Sequence, residues 1–240
     1  MQIKESKPLI SVIIPARNEE KRIGKLLRSI KEQTYKNYEI LVGDSSDDKT
    51  PDICKREGAK VFRAKRRGVS AGRNVALKHA RGELVAFIDA DVILTRRVFE
   101  ASVKALKNKR TVGVMPLFKP IAGEIPKNKR PIIYFLNDLG NFLIKANGLG
   151  GFRVYGCVIC RREDVNKVGY FDERMNISED TDFYRRLSRY GKFKALNVYA
   201  YYSYRRFIEK GIPRTFLFYI KNALITAAFK KNQNELERIR

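Results

Sequence analysis

Leu84-Val-Ala-Phe-Ile-Asp-Ala-Asp91 is an unbroken apolar run that ends on two acids, and it decides how the first half of the chain is read. A short, continuous apolar stretch suits a strand buried on both faces, as in a parallel sheet. Upstream, Leu9-Ile-Ser-Val-Ile-Ile14 is a run of the same kind, stopped by Pro15, and Glu39–Gly43 and Lys60-Val-Phe62 are shorter ones. Helical patterns fill the gaps. One begins at Asn18 or Glu19 and puts Ile23, Leu26, Leu27 and Ile30 on one face. The next has Thr50 as its cap and Pro51 at its first position, and a third runs from about Ser70 to His79. Alternation of strand and helix predicts an α/β fold with a parallel sheet and helices on both faces. Ligands of such sheets bind at the carboxyl ends of the strands.

The second half is less regular. Val112–Leu117 and Val154–Cys160 read as strands, Lys119–Asn128 as a mobile polar loop, and Arg161–Val168 and Asp180–Tyr190 as helices. A tyrosine-rich stretch then leads into a last helix from about Pro213 to Lys231.

Composition narrows the chemistry. The 240 residues carry 50 Lys and Arg against 26 Asp and Glu, a net charge of +24. A field of that size attracts polyanions: nucleic acid, anionic lipid headgroups, or nucleotide and lipid phosphates. Eleven basic residues against three acidic ones fall after Gly191. A single histidine argues against His-based triads, HExxH zinc sites and zinc deaminases, and points to a carboxylate as the general base. Three cysteines cannot all pair and fit a reducing compartment. Cys157-Val-Ile-Cys160 lies in an apolar run and reads as small hydrophobes in a strand rather than as a metal or redox pair. The N-terminal apolar run is too short for a signal peptide, and no stretch is long enough to span a membrane.

Polar residues collect where the first-half strands end: Arg17-Asn18-Glu19, then Asp44, then Asp89 and Asp91. Turn and cap preference accounts for one or two of these. Three clusters on one sheet edge call for a ligand, and carboxylates two residues apart at a strand exit can hold a hard divalent cation.

In this order the segments resemble family 2 glycosyltransferases. Ser-Val-Ile-Ile-Pro-Ala-Arg-Asn-Glu (11–19) is similar to the family's opening strand and nucleotide loop, and Gly-Asp-Ser-Ser-Asp-Asp-Lys-Thr (43–50) to its second-strand loop. Gly68-Val-Ser-Ala-Gly-Arg-Asn74 and the run through Asp91 resemble its most specific segment. Val168–Glu173 and Ser-Glu-Asp-Thr-Asp182 resemble the segment that bears the acidic base. The resemblance implies a GT-A type, Rossmann-like mixed sheet, mostly parallel, with helices on both faces. It implies inverting transfer from a UDP- or GDP-sugar with Mn²⁺ or Mg²⁺ as cofactor. By position, Pro15, Ala16, Arg17 and Glu19 line the nucleoside pocket, and Asp44 bonds the base. Asp89 and Ala90 meet ribose or sugar, Asp91 holds the metal, and Asp180 is the base with Glu179 beside it. The family has aspartate where Gly43 stands; Asp44 follows one residue later.

Arg73, Arg66 and Arg67 are candidate cations for the leaving diphosphate, and Arg205 and Arg206 for a diphosphate or acceptor phosphate. Glu179 and Asp182 are like-charge neighbours that raise the pKa of Asp180, although Asp182 equally suits a helix start. Residues 1–205 are expected to form the catalytic domain, with a nucleotide half at 9–95 and an acceptor half at 96–205. Residues 206–240 form a basic, amphipathic tail. Its cations and the aromatics between Tyr199 and Tyr219 suit an anionic membrane surface carrying a lipid-linked or glycan acceptor, while packing on the domain is the alternative. The expected location is the cytoplasm or the inner membrane face. Two rivals remain. A nucleic-acid-binding module explains +24 but shows no recognition motif and leaves the acidic loops unexplained. An inactive donor-binding relative conflicts with intact Asp89, Asp91 and Asp180.

Overall fold

The computed structural model describes residues 7–66, 68–147, 156–175, 178–218 and 221. Its first half is β1 (Ile10–Ala16), α1 (Ile23–Lys31), β2 (Tyr38–Asp44), α2 (Thr50–Arg56), β3 (Lys60–Arg63), α3 (Val69–Leu77) and β4 (Leu84–Ile88). Then follow β5 (Val92–Leu94), α4 (Val98–Leu106), β6 (Thr111–Pro120), α5 (Arg130–Asn147), β7 (Cys157–Arg161), α6 (Arg162–Val168), α7 (Glu179–Leu187), β8 (Lys192–Tyr202) and α8 (Arg205–Glu209). The eight strands among the described residues join one mixed α/β sheet in the order β3-β2-β1-β4-β7-β6-β8-β5. The first four are parallel, β7 is antiparallel to β4 and β6, β6 and β8 are parallel, and β5 closes the edge antiparallel to β8.

That order forces the sheet to curl. β4 and β5 stand four places apart but are joined by Asp89-Ala-Asp91 alone. Flat strands about 4.8 Å apart would separate them by roughly 19 Å. Four residue steps reach at most about 14 Å. β5 is therefore carried back toward β7. A Cβ on Gly156, just before β7, would stand 3.0 Å from Val92 Cγ2 and 3.2 Å from Tyr202 Cδ2.

The apolar runs are buried as their composition requires: Val12, Ile13, Ile14, Val85 and Ile88 are inaccessible, and Ile23, Leu26, Leu27 and Ile30 of α1 cover one face. On β4, Phe87 meets Phe171 and Phe183 edge-on, and those two rings stack at 3.9 Å. These contacts seat α7 over the end of β4. Cys157 and Cys160 are buried strand residues whose thiols burial pushes well up, with Asp89 adding to the shift at Cys157 and Asp164 at Cys160.

Several boundaries differ from the sequence reading. β1 continues through Pro15 to Ala16, because its pairing with β4 ends at Ile13 and the strand then has β2 alone as neighbour, where proline is tolerated. α1 starts at Ile23, not Asn18 or Glu19, because the 18–20 segment bonds the β2–α2 loop instead. Asn18 N–H donates to Ser46 Oγ and Glu19 N–H to Thr50 Oγ1, both at 2.9 Å. Thr50 lies within α2 rather than capping it, and its own N–H donates to Asp48 Oδ1 at 2.9 Å. The segment read as a loop at Lys119–Asn128 begins with the end of β6 and contains two 3₁₀ turns. The tyrosine-rich stretch is largely β8, and Tyr204 is buried. Positions 154–155, Arg67, Tyr219 and the last helix beyond 218, Lys221 apart, lie outside the described residues.

Candidate active site

The carboxyl ends of β1, β2 and β4 bring Glu19, Asp44, Asp89 and Asp91 to one edge, and two arginines from distant positions meet them. Arg73, on α3, is 3% exposed. Its Nη2 donates to Asp89 Oδ1 at 2.9 Å and its Nη1 to Glu179 Oε1 at 3.0 Å. It thereby ties the end of β4 to the start of α7. Burial works against its charge, but Asp89, Tyr184, Glu179 and Asp180 together hold it firmly protonated. A planar, permanently charged fork suits this bridging position.

Asp180 follows at the first turn of α7, with its Oδ1 accepting the Thr181 N–H at 2.6 Å. Burial raises its carboxyl above the ordinary aspartate range, against the pull of Arg73 and the Thr181 N–H. Glu179 is raised by burial and by Asp180, with Arg73 opposing. Asp182 is turned to Arg185 and Arg186, at 2.9 Å from each, and so serves the helix.

Arg205, at the start of α8, makes the second bridge. Its Nη2 and Nη1 donate to the two oxygens of Glu19 at 2.5 and 3.1 Å, and its Nε lies 3.5 Å from Asp91 Oδ2. Burial, then Asp89, push the Asp91 carboxyl up to about 7; Arg205 pulls it down and Glu19 adds to the rise. A crowded, buried carboxylate with hard oxygen donors fits a divalent cation, which would relieve the repulsion that Arg205 only partly offsets. Among the described residues no group of three His, Cys, Asp or Glu converges as a closed metal cage. Beside Asp91 a small cavity of about 10 Å³ lies between Ala90, Ile93, Glu124, Arg22 and Lys25.

Asp44 is buried and accepts Arg63 Nη1 at 2.9 Å and the Ser46 N–H at 3.2 Å. The one-residue offset at Gly43 has a steric cause: a Cβ there would stand 1.8 Å from the carbonyl oxygen of Gly72. α3 crosses β2 so closely that only glycine fits, and the nearest acid is Asp44 at the next position. Pro15 and Ala16 end β1 beside this loop, while Arg17, Arg66 and Arg206 are exposed. Arg63 was not among the candidates from sequence, since only the β2–β3 register, Asp44 opposite Arg63, brings it to the edge.

A curled, mostly parallel sheet with acidic side chains at the carboxyl end of its central strands is a GT-A type fold, and solved glycosyltransferases share it. A Pyrobaculum calidifontis mannosyltransferase in complex with GDP-Man and Mn²⁺ matches with a TM-score of 0.65 at 22% identity, over 82% of this chain and 57% of that one. Staphylococcus aureus TarS in complex with UDP-GlcNAc matches with a TM-score of 0.63 at 24% identity, over 81% and 58%. At such identities the likeness is one of fold. The sequence model of glycosyl transferase family 2 matches residues 11–169, and the chain belongs to that family. An uncharacterized glycosyltransferase of Methanocaldococcus jannaschii is 29% identical over 192 residues, 75% of this chain and 64% of that protein. The 4,4'-diaponeurosporenoate glycosyltransferase of Staphylococcus haemolyticus is 34% identical over 121 residues, 47% of this chain and 32% of that protein. The chain thus spans about one to two thirds of these relatives' length.

Proposed function

We propose that the protein transfers a sugar, with inversion, from a UDP- or GDP-sugar to an acceptor hydroxyl or phosphate, the acceptor being lipid-linked or a glycan. The observation that carries this is Arg73, buried between Asp89 of the donor edge and Glu179 of the acceptor side. It holds the two acidic clusters at a fixed separation. In this reading Pro15, Ala16, Arg17, Glu19 and Asp44 receive the nucleoside, and Asp89 and Ala90 face ribose or sugar. Residues 9–95 form the nucleotide half and 96–205 the acceptor half. Asp91 would hold Mn²⁺ or Mg²⁺, with donor phosphates completing the coordination. The bound cation supplies neutralisation of the charge that develops on the leaving diphosphate. Asp180 accepts the acceptor's proton, and its raised pKa brings that capacity toward neutral pH. Arg73 keeps the leaving side positive without losing a proton.

The test is nucleotide-sugar binding, read as thermal shift with UDP- and GDP-sugars in the presence and absence of Mn²⁺. Asp91→Ala should remove the Mn²⁺-dependent part of the shift and leave the fold intact. Undiminished metal-dependent affinity in that variant sinks the assignment.

A further inference from the structure

α5 is apolar on two opposite faces, and only one of them is packed. Ile133, Asn137 and Ile144 turn inward and are buried. On the other side Ile132, Phe135, Leu139 and Phe142 are 46%, 66%, 41% and 65% exposed. Their spacing of three, four and three residues lines them up as one stripe along the helix. Two phenyl rings two-thirds in water, with Leu139 between them and Ile132 beyond Phe135, form a patch on the order of several hundred Å², the size at which a partner is expected.

The surroundings decide what kind of partner. From Lys127 to Asn147 the cations are Lys127, Lys129, Arg130 and Lys145, and the only acid is Asp138. Lys127 and Lys145 are exposed at the two ends of the stripe. Next to it, helical residues 212–218 present Leu217, 64% exposed, and carry the exposed Arg214. This short helix adjoins α5, because Ile212, Ile208 and Phe207 pack on Ile133, Ile125 and Tyr204. Long cationic side chains framing an aromatic and aliphatic stripe can place their heads at lipid phosphates while the rings enter the acyl boundary. A second copy of this chain fits less well: pairing the stripe with itself would bring two basic frames together in a protein that already carries +24.

We propose that the exposed face of α5 is a docking surface for an anionic lipid membrane. This deepens, and rests on, the reading of the acceptor as lipid-linked. α5 is bound to the active edge: Tyr204 Oη donates to Asn137 Oδ1 at 3.3 Å, and Tyr204 immediately precedes Arg205, which bridges Glu19 and Asp91. A membrane seated on the exposed face of α5 is therefore separated from Tyr204 by the thickness of that one helix, about 10 Å, and a lipid-borne acceptor would reach the acidic edge around it.

The chain contains no tryptophan, so a single one reports cleanly. In the full chain carrying F142W, phosphatidylglycerol-containing vesicles at low salt should shift the emission to the blue, and pure phosphatidylcholine vesicles should not. In flotation, Phe135→Glu/Phe142→Glu should weaken binding to the anionic vesicles by about tenfold or more, since each buried phenyl contributes a large share of the partition energy. Lys127→Gln/Lys145→Gln should weaken it at low salt and lose its effect at high salt. Nucleotide-sugar thermal shift should be the same in all these variants, which separates failure of this surface from failure of the donor-transfer reading. The proposal is overturned if the intact protein ignores anionic vesicles at low salt, or if the double glutamate variant floats like the wild type. It is also overturned if the protein sediments as a dimer that this variant dissociates, making the stripe a self-interface. Shielding of the F142W emission from a soluble quencher without lipid would assign the stripe to another part of the chain, and overturns it too.

Discussion

Arg73 reaches carboxylates 16 and 106 residues away in sequence, and its buried guanidinium meets both where they are only partly exposed. Removing it leaves Asp89, Glu179 and Asp180 repelling one another in a poorly hydrated space, so these groups respond together. Asp180 is the one whose protonation should be visible in kinetics. Its pKa is raised, so as pH falls it takes up a proton earlier than an ordinary aspartate and stops acting as a base. The acid limb of kcat/KM should therefore lie above the ordinary aspartate value of about 3.9. Asp180→Asn should lower turnover by ~10²–10⁴ while the donor-induced thermal shift is kept. A pH–rate profile with its acid limb at or below about 4, or an active Asn variant, moves the role to another group.

At the scale of elements, the crossing of α3 over β2 and β1 controls where the acids fall. Gly43 and Gly72 face each other there, and a Cβ on Gly72 would lie 3.0 Å from Gly43 O and 3.2 Å from Pro15 Cβ. Gly43→Ala should destabilise by ~1–3 kcal/mol or more, because backbone must move to admit it; urea denaturation midpoints measure this. A second joint links β2 to the turn before β4. Burial raises the Glu39 carboxyl, but the Arg81 N–H, the Ser11 hydroxyl and the Arg81 guanidinium outweigh it and hold the pKa below the usual range. A lowered folded pKa contributes stability above the unfolded value of about 4.3 and loses it as pH falls through the folded one. Wild type should therefore lose more stability than Glu39→Gln between about pH 5 and pH 3. Parallel curves for the two would show that the joint carries no net charge stabilisation.

The elements that sequence made legible are those with a strong local signature. β1, β2 and β4 are continuous apolar runs, α1 has a clean 3.6-residue face, and their termini bear the acids. β5 and β8 were missed: β5 is three residues long, and β8 alternates lysine and tyrosine with small apolar residues over half-buried positions. α5 was missed because its apolar residues go all round the helix and blur the periodicity. Asp180 and Glu179 came from motif similarity. The Arg63–Asp44 and Arg205–Glu19 pairs were hidden because only strand register and the curl of the sheet bring their partners together.

At the scale of the molecule, the main apolar core runs from β1 and β2 through β4 and β7 to β6 and β8, with a smaller cluster at Ile125, Ile133 and Tyr204. The antiparallel pairing of β4 with β7 joins the strands before residue 95 to the later ones in one sheet. Thermal unfolding should accordingly be one transition, coincident for probes placed in either half. Two separated transitions would show that the halves are independent. A net charge of +24 opposes compaction, so the melting temperature should climb as salt rises from about 0.01 M and level off once the Debye length falls to about 10 Å near 0.1 M. Calorimetry across that range tests it.

The link from β4 to β5 is a tight turn, closed by the Val92 N–H donating to the Asp89 carbonyl at 3.2 Å. Its length is set by that turn, so the number of residues separating the two acids is an architectural count before it is a chemical one. Insertions elsewhere on the rim lengthen a loop and leave the sheet alone. An insertion at Asp89-Ala-Asp91 would break this turn, loosen the hold on β5 and shift the acid spacing at once, so variation in length is closed to this position while variation in side chain stays open. Libraries that seek new donors should keep its length fixed and explore the surrounding loops.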